Sequence, residues 1–369
     1  MYQLSACFLQ SNYQTCMQTP QAIVQQRPKA NWWATVVRNV LGWFRLTNER
    51  TIRVYHGYGH AGRYVIYGHV LGFGPIPRKR FSRNVLKNTA ALVRLFIVRP
   101  LAGAKLQMRW EGEIFKTTSE DDGFFKIEWS LNRHLPPGWH PLQIEMTNDE
   151  DNVISTGTGY IFIPYATQLG FISDIDDTFL ISHSSNLRKR LLVLFTRNAH
   201  SRKPFQGVVR HYQALTLANT TEDAPNPFFY VSSSEWNLFD YIREFTTING
   251  LPRGVFLLNQ LKRFSQLFKT GQNNHSTKFM RIVRVLENYP TQRFVLLGDS
   301  SQQDPDIYAS VAKHFPHQVH AVYIRDVYKK NQQKVRETLE KMEAAGVPCC
   351  FFEHSAEAFE HSQRIGLIK

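Results

Sequence analysis

Gly170-Phe171-Ile172-Ser173-Asp174-Ile175-Asp176-Asp177-Thr178 decides how this chain is read. A short apolar run stops abruptly at closely spaced carboxylates, the pattern of a buried strand that delivers polar side chains at its carboxyl end. The same arrangement recurs downstream. Phe228-Phe229-Tyr230-Val231, Val255-Phe256-Leu257-Leu258, Arg293-Phe294-Val295-Leu296-Leu297 and His320-Ala321-Val322-Tyr323-Ile324 read as further strands. Helical spacing lies between them, as in Phe279, Ile282, Val283 and Leu286. Alternation of this kind predicts an α/β fold with a parallel sheet, helices on both faces, and ligands at the carboxyl ends of the strands.

Polar residues sit at those ends. Asp174 and Asp176 follow the first strand, Ser232 the second and Asp299 the fourth, while Lys278 opens the helix before the fourth strand. Phosphoryl transfer needs a nucleophile, a proton donor for the leaving oxygen, and positive charge against the phosphate. Asp174 is the candidate nucleophile, and Asp176 the acid that protonates the leaving group and then activates water. Clustered carboxylates repel one another unless a cation neutralises them, and an all-oxygen site suits Mg²⁺. Asp174 and Asp299 are the expected side-chain ligands, with Asp304 a third and Asp176 able to offer its backbone carbonyl.

Lys278 falls two residues after Ser276, an expected N-cap, where the helix dipole disfavours a cation unless an anion binds. The alternative is a lysine that points into water. In Asp304-Pro305-Asp306 the aspartate also suits an N-cap with Pro305 as first helical residue. Ser233 and Ser234 read as turn residues and Asp177 as a loop residue or a supporting carboxylate.

Upstream, from about Arg53 to Pro164, the pattern changes to short β-rich runs. Tyr64–Tyr67, Leu92–Val98, Lys105–Trp110, Phe124–Trp129 and Tyr160–Ile163 are the expected strands, with Asp121-Asp122-Gly123 as a turn. A β-sandwich is the natural reading. Arg78-Lys79-Arg80, with Arg83 and Lys87, reads as a basic loop, either solvated or a contact for head-group phosphates. Residues 1–30 read as a mobile tail rich in Gln, Ser and Thr. Trp33, Val36, Val37, Val40, Leu41 and Phe44 then recur on one helical face, which serves either a membrane interface or the protein's own core.

Residues 1–110 hold sixteen Lys and Arg against the single acid Glu49, or +15, which leaves −1 of the net +14 for residues 111–369. So one-sided a field attracts polyanions: an anionic membrane surface, nucleic acid or a phosphorylated substrate. It also fits a surface that only confers solubility. Apolar runs are too short to span a bilayer. Cys7, Cys16, Cys349 and Cys350 have neither zinc nor disulfide spacing, which favours a reducing compartment. Leu4-Ser5-Ala6-Cys7 matches a lipoprotein cleavage pattern without the basic and apolar regions that should precede it, so the expectation is a cytoplasmic protein peripheral to the membrane rather than a lipoprotein or exported form.

Taken in order, Asp174-Ile175-Asp176-Asp177-Thr178, Ser232, Lys278 and Gly298-Asp299-Ser300-Ser301-Gln302-Gln303-Asp304 resemble the four motifs of the haloacid dehalogenase superfamily of phosphohydrolases. The flanking text, Asn226 to Ser234, Trp236-Asn237-Leu238, Gly250-Leu251-Pro252, Asp304 to Tyr308 and Tyr323 to Val327, resembles the actin patch protein family of phosphatidate phosphatases. Val54-Tyr55-His56-Gly57-Tyr58-Gly59 is similar to that family's N-terminal module. The resemblance covers roughly residues 53–330. It implies that the parallel-sheet domain, over 166–369, is a Rossmann-like haloacid dehalogenase domain; with the patterns read above, this domain is preceded by a β-sandwich-like domain over 51–165 and a basic tail with an amphipathic helix over 1–50. It further implies Asp174 as nucleophile, Asp176 as acid and base, Ser232 and Lys278 as phosphate ligands, and Asp299 with Asp304 around Mg²⁺.

The expected reaction is hydrolysis of phosphatidate to diacylglycerol at a membrane surface. Alternatives are a soluble or nucleic-acid phosphomonoester as substrate, or a non-catalytic membrane- or polyanion-binding module. Glu235 stands where the family pattern has proline, and Asn259-Gln260 where it has a basic-acidic pair. Residues 179–226 are expected to include a flap over the site, with Arg188, Lys189, Arg190, Arg197, Arg202 and Lys203 drawing in an acidic head group or forming a solvated helix face.

Overall fold

A computed structural model describes residues 46–47, 49–75, 94–131, 135–179, 204–259 and 274–369 of the chain. The predicted tail, the helix from Trp33 to Phe44, the basic loop from Arg78 to Lys87 and the basic flap segment from Arg188 to Lys203 lie outside the described residues.

The first ten strands are β1 (Leu46–Thr47), β2 (Thr51–Val54), β3 (His56–His60), β4 (Arg63–Pro75), β5 (Arg99–Pro100), β6 (Lys105–Trp110), β7 (Glu113–Thr118), β8 (Phe124–Ser130), β9 (Gly138–Thr147) and β10 (Val153–Ile163). The long β4 is the hub, pairing antiparallel with β1, β2, β3, β5 and β8. β3 is joined in parallel to β10, which leads through β9 to β6 and β7. Alternation does the sorting. Along β8, Phe125, Ile127 and Trp129 are buried while Glu128 and Ser130 are exposed, so one face meets a core with Ile66, Met108, Ile144 and Ile161. The turn into β8 forms as predicted, with Gly123 at φ 77° and Asp122 Oδ1 accepting the Phe124 amide at 2.9 Å.

One predicted strand is corrected. Of Leu92–Val98, Leu92 and Val93 lie outside the described residues, Arg94 and Leu95 form a helical turn, Phe96–Val98 is irregular, and pairing begins only at Arg99. β propensity yields here to tertiary contact. Phe96 is buried in the core shared with the second half of the chain, and the Leu95 carbonyl accepts a hydrogen bond from Asn237 Nδ2 at 2.8 Å.

The second half is a mixed α/β arrangement on a six-stranded parallel sheet. Its strands are β11 (Leu169–Ser173), β12 (Phe228–Glu235), β13 (Val255–Asn259), β14 (Arg293–Asp299), β15 (Val319–Arg325) and β16 (Cys349–Phe352). Described helices are α1 (Val208–Thr216), α2 (Phe239–Ile248), α3 (Asn274–Asn288), α4 (Asp304–His314), α5 (Gln332–Ala344) and α6 (Ser355–Arg364). Sheet order is β13-β12-β11-β14-β15-β16, so the winding reverses beside β11. At such a point the loops leaving adjacent strands diverge and open a crevice at their carboxyl ends. β11, β12, β13 and β14 read as continuous apolar runs because both faces are covered. β16 was not among the predicted strands. It buries Cys349 and Cys350 as reduced thiols.

The two halves meet along an aromatic seam. Tyr55 stacks on Trp236 with centroids 4.0 Å apart, His56 Nδ1 donates to the Gly254 carbonyl at 3.1 Å, and Tyr289 Oη donates to the Gly59 carbonyl at 3.3 Å. Gly59 is needed on β3, since a Cβ there would lie 2.1 Å from Tyr64 Cδ1. No helix among the described residues is long and apolar enough to cross a membrane.

Candidate active site

β11 and β14 are neighbours in register, and this pairing places Asp174 and Asp299 side by side. The Asp174 amide continues the ladder by donating to the Leu297 carbonyl at 2.8 Å. The chain then turns sharply, with Asp177 at φ 57°, a conformation that aspartate tolerates better than most residues. Asp176 comes to lie against the end of β12. There its Oδ2 accepts hydrogen bonds from Ser232 Oγ, at 3.2 Å, and from Ser234 Oγ.

Lys278 reaches in from α3. Its Nζ donates to Asp174 Oδ1 at 2.8 Å and to Asp304 Oδ1. The N-cap expectation for this helix is corrected: α3 begins at Asn274, so Ser276 lies inside it and Lys278 is its fifth residue; the alternative of a solvated lysine does not hold, since Lys278 is 2% exposed. Two carboxylates hold the lysine, which outweighs any penalty from the helix dipole. Asp304 is likewise the first residue of α4 and not its cap. Its Oδ2 accepts the Asp299 amide at 3.4 Å, because the side chain turns inward to the carboxylates.

All six sequence-derived candidates, Asp174, Asp176, Ser232, Lys278, Asp299 and Asp304, are buried at one edge of the parallel sheet. Oxygens of Asp174, Asp299 and Asp304 lie within 4.8 Å of one another. Burial pushes the Asp174 carboxyl well above the usual range; Lys278 opposes this, and Asp304, Asp299 and Asp176 add to it. Burial and then Asp304 likewise push Asp299 up to about 7. For Lys278, burial works against the charge, but Asp174 and Asp304 overcome it and hold the ammonium above the ordinary lysine range. A single ammonium among four carboxylates leaves an excess of negative charge in low dielectric, which a divalent cation would neutralise.

Asp299 carries the most specific sign of a cation site. Its Oδ1 is occupied by the Ser301 amide, at 2.6 Å, and by the Ser301 hydroxyl. Its Oδ2 is buried and has no hydrogen-bond partner among the described residues. A carboxylate oxygen left bare in the interior is costly, and a hard cation is the ligand that three clustered carboxylates fit.

Gly298 makes this packing possible. A Cβ there would sit 2.5 Å from Asp304 Oδ2 and 2.8 Å from Tyr308 Cε2. Gly298→Ala is therefore expected to displace Asp304 and cost about 1–3 kcal/mol of stability, read as a lowered Tm. An unchanged Tm would show that Asp304 has room to move.

Other residues emerge only from the structure. Ser234, read as a turn residue, is a direct partner of Asp176. Arg325, at the end of β15, is 2% exposed and donates from Nε to the Thr178 carbonyl at 2.9 Å and from Nη2 to Ser355 Oγ at 2.8 Å. It thereby ties the end of the Asp174 loop to α6. Arg281 donates to the carbonyls of Ser232, at 2.8 Å, and Leu257, at 3.2 Å. The i, i+3 spacing of Lys278, Arg281 and Arg284 on one helix is the only trace of this in the sequence.

Residues 169–326 match the family described as phosphatidate phosphatase APP1, catalytic domain. Through this segment the chain is similar to the APP1 family. The phosphatidate phosphatase APP1 of Saccharomyces cerevisiae is 30% identical over 194 residues, which is 50% of this chain and 31% of that protein. An uncharacterized protein of Schizosaccharomyces pombe is 24% identical over 183 residues, 49% of this chain and 29% of that one. The chain therefore matches less than a third of the length of these curated relatives. Among solved structures, a bacterial immunoglobulin-like domain from the M. primoryensis ice-binding adhesin aligns with 32% of this chain and 99% of its own length at 12% identity. Its TM-score of 0.18 is too low to bear on the fold. The segment shared with the APP1 family contains all six candidate residues, whereas the strands before Leu169, and β16 with α5 and α6, fall outside it.

Proposed function

We propose that the chain is a Mg²⁺-dependent phosphatidate phosphatase that hydrolyses its phosphomonoester through an aspartyl-phosphate on Asp174. The observation that carries this reading is the buried group of Asp174, Asp299 and Asp304 around Lys278, with Asp176 held beside it by two serines. The APP1 family match supports the lipid substrate. In this reading residues 166–369 form a Rossmann-like haloacid dehalogenase domain, 51–165 a β-sandwich-like domain, and 1–50 a basic segment that meets an anionic membrane surface.

Asp174 attacks phosphorus as the bond to the lipid hydroxyl oxygen breaks, and Asp176 gives that oxygen its proton. The Asp176 carboxylate then takes a proton from water, which attacks the phosphoryl-aspartate and releases phosphate. Lys278, paired with Asp174 Oδ1, leaves Oδ2 with only long contacts of 3.5 Å from Thr178 and Gln302, so Oδ2 is the oxygen available to attack. Ser232 and Lys278 hold the phosphoryl oxygens. Asp174, Asp299 and Asp304, with the Asp176 carbonyl, would hold Mg²⁺, which when bound offsets the negative charge of the phosphoryl group.

Phosphate release from phosphatidate, a soluble sugar phosphate, a 5′-phosphorylated oligonucleotide and an aryl phosphate, each with and without Mg²⁺, tests this. Phosphatidate is expected to be turned over fastest and only with the cation. If it is hydrolysed no faster than the aryl phosphate, the lipid assignment fails.

A further inference from the structure

A cavity of about 370 Å³ lies where the first ten strands meet the carboxyl ends of β12 and β13. Its volume is that of a small-molecule site. Tyr58, Tyr67, Phe124, Trp236, Leu257 and Leu258 make most of its wall aromatic and aliphatic, and Glu120, Asp122, Asn259 and Arg284 add a polar side. Met280, part of the lining, is 46% exposed and so borders both cavity and solvent. Arg281 forms part of the lining and bonds the carbonyl of Ser232, whose hydroxyl reaches Asp176, so one layer of residues separates the cavity from the carboxylates. Lys278, Arg281 and Arg284 come from successive turns of α3, which runs from the carboxylate cluster to the cavity.

Among the described residues of the lining, one polar group has no counterpart. His69 is 1% exposed and its Nε2 has no hydrogen-bond partner, while its Nδ1 meets Tyr55 Oη at 3.1 Å. Burial, and then the nearby Arg53, push the His69 imidazole down to about 3, so the ring is neutral and carries one proton. Burial likewise raises the Tyr55 phenol, which keeps its proton. With no other partner for that phenol among the described residues, it donates to Nδ1, and the imidazole proton then sits on Nε2. The alternative tautomer would leave both the phenolic proton and the Nε2 lone pair unsatisfied. A buried N–H donor thus sits in the wall of a largely apolar chamber, out of hydrogen-bond reach of the Glu120 and Asp122 carboxylates that also line it.

We propose that this cavity receives the ester-linked part of a phospholipid substrate, with His69 Nε2–H donating to an acyl ester carbonyl and the hydrocarbon lying against the aromatic wall. This rests on the lipid phosphatase reading above. It requires a ligand with an oxygen acceptor close to its phosphate and an apolar extension beyond it, which an acylated glycerol phosphate provides and a bare sugar phosphate does not.

Calorimetric binding to the full chain carrying Asp174→Asn tests this without turnover, with dioctanoyl phosphatidate and glycerol 3-phosphate as the two probes. The lipid is expected to bind at least about a hundredfold more tightly. His69→Phe should cut that preference by about tenfold, the effect of one lost buried hydrogen bond. Met280→Trp, at a half-open position where a larger side chain does not disturb the core, should cut it further by blocking the mouth. Thermal melts establish that both variants fold, and Met280→Trp decides the matter if His69→Phe does not. A lipid preference unchanged in a folded Met280→Trp variant overturns the cavity assignment and leaves the phosphatidate reading intact. No preference for the lipid in the parent chain, together with no phosphatidate hydrolysis by the unmutated protein, overturns both.

Discussion

Asp174→Asn is expected to lower phosphate release from phosphatidate by at least about a thousandfold, the scale seen when a nucleophile is removed. The substitution keeps the shape of the side chain, and the amide can still meet Lys278 Nζ, but an amide oxygen does not form the acyl phosphate at a useful rate. Structure should survive. Asp174 is fully buried and its carboxyl is pushed upward mainly by desolvation, so loss of its charge removes a cost that offsets the weaker pairing with Lys278, which keeps Asp304 as partner. Circular dichroism is expected to show unchanged secondary structure beside the lost activity. A variant that retains more than a tenth of the activity would remove Asp174 from the role of nucleophile.

The second large effect concerns the cation and is read from stability as well as activity. Chelation should abolish turnover, and Mg²⁺ at about one hundred times its Kd should stabilise the chain by about 2.7 kcal/mol. That corresponds to a Tm higher by roughly 5–10 °C. Asp299→Asn is expected to remove most of this increment, because Asp299 Oδ2 is the buried oxygen without a hydrogen-bond partner. The pH dependence has a definite sign. The Asp299 carboxyl rises from 3.8 to about 7 on folding, so the cation-free folded chain holds a proton that the unfolded chain releases. Stability of the cation-free protein should therefore fall as pH increases from about 4 to about 7. Asp299→Asn should flatten that slope, while cation affinity should increase over the same interval as the carboxylates ionise. A Mg²⁺-induced shift in Tm that survives Asp299→Asn in full would place the cation elsewhere.

The parallel sheet was legible because a strand buried on both faces writes itself as an unbroken apolar run, and Phe228-Phe229-Tyr230-Val231 and Phe294-Val295-Leu296-Leu297 have no other economical reading. Where such a run stops at a polar residue, the strand end is marked as well. Asp174, Asp299 and Ser232 could therefore be assigned to one edge of the sheet. Leu92–Val98 shows the limit of the same reasoning. Its composition is that of a strand, but among its described residues, 94–98, none pairs with a strand, and Phe96 is buried in the shared core instead.

By itself, then, the sequence determined which residues end strands and which kinds of chemistry those ends can carry, since hydrophobic periodicity and residue type are local properties. Only the tertiary structure decided the partners. Lys278 changes from an expected first-turn phosphate ligand to a buried counter-ion of Asp174 and Asp304, Ser234 from a turn residue to a donor to Asp176, and His69 from one strand residue among many to a cavity-wall group with no partner for its Nε2 among the described residues. Each change depends on groups brought together from distant parts of the chain in an interior of low dielectric, where the presence or absence of one partner sets both charge state and hydrogen bonding. No local pattern of residues encodes that proximity.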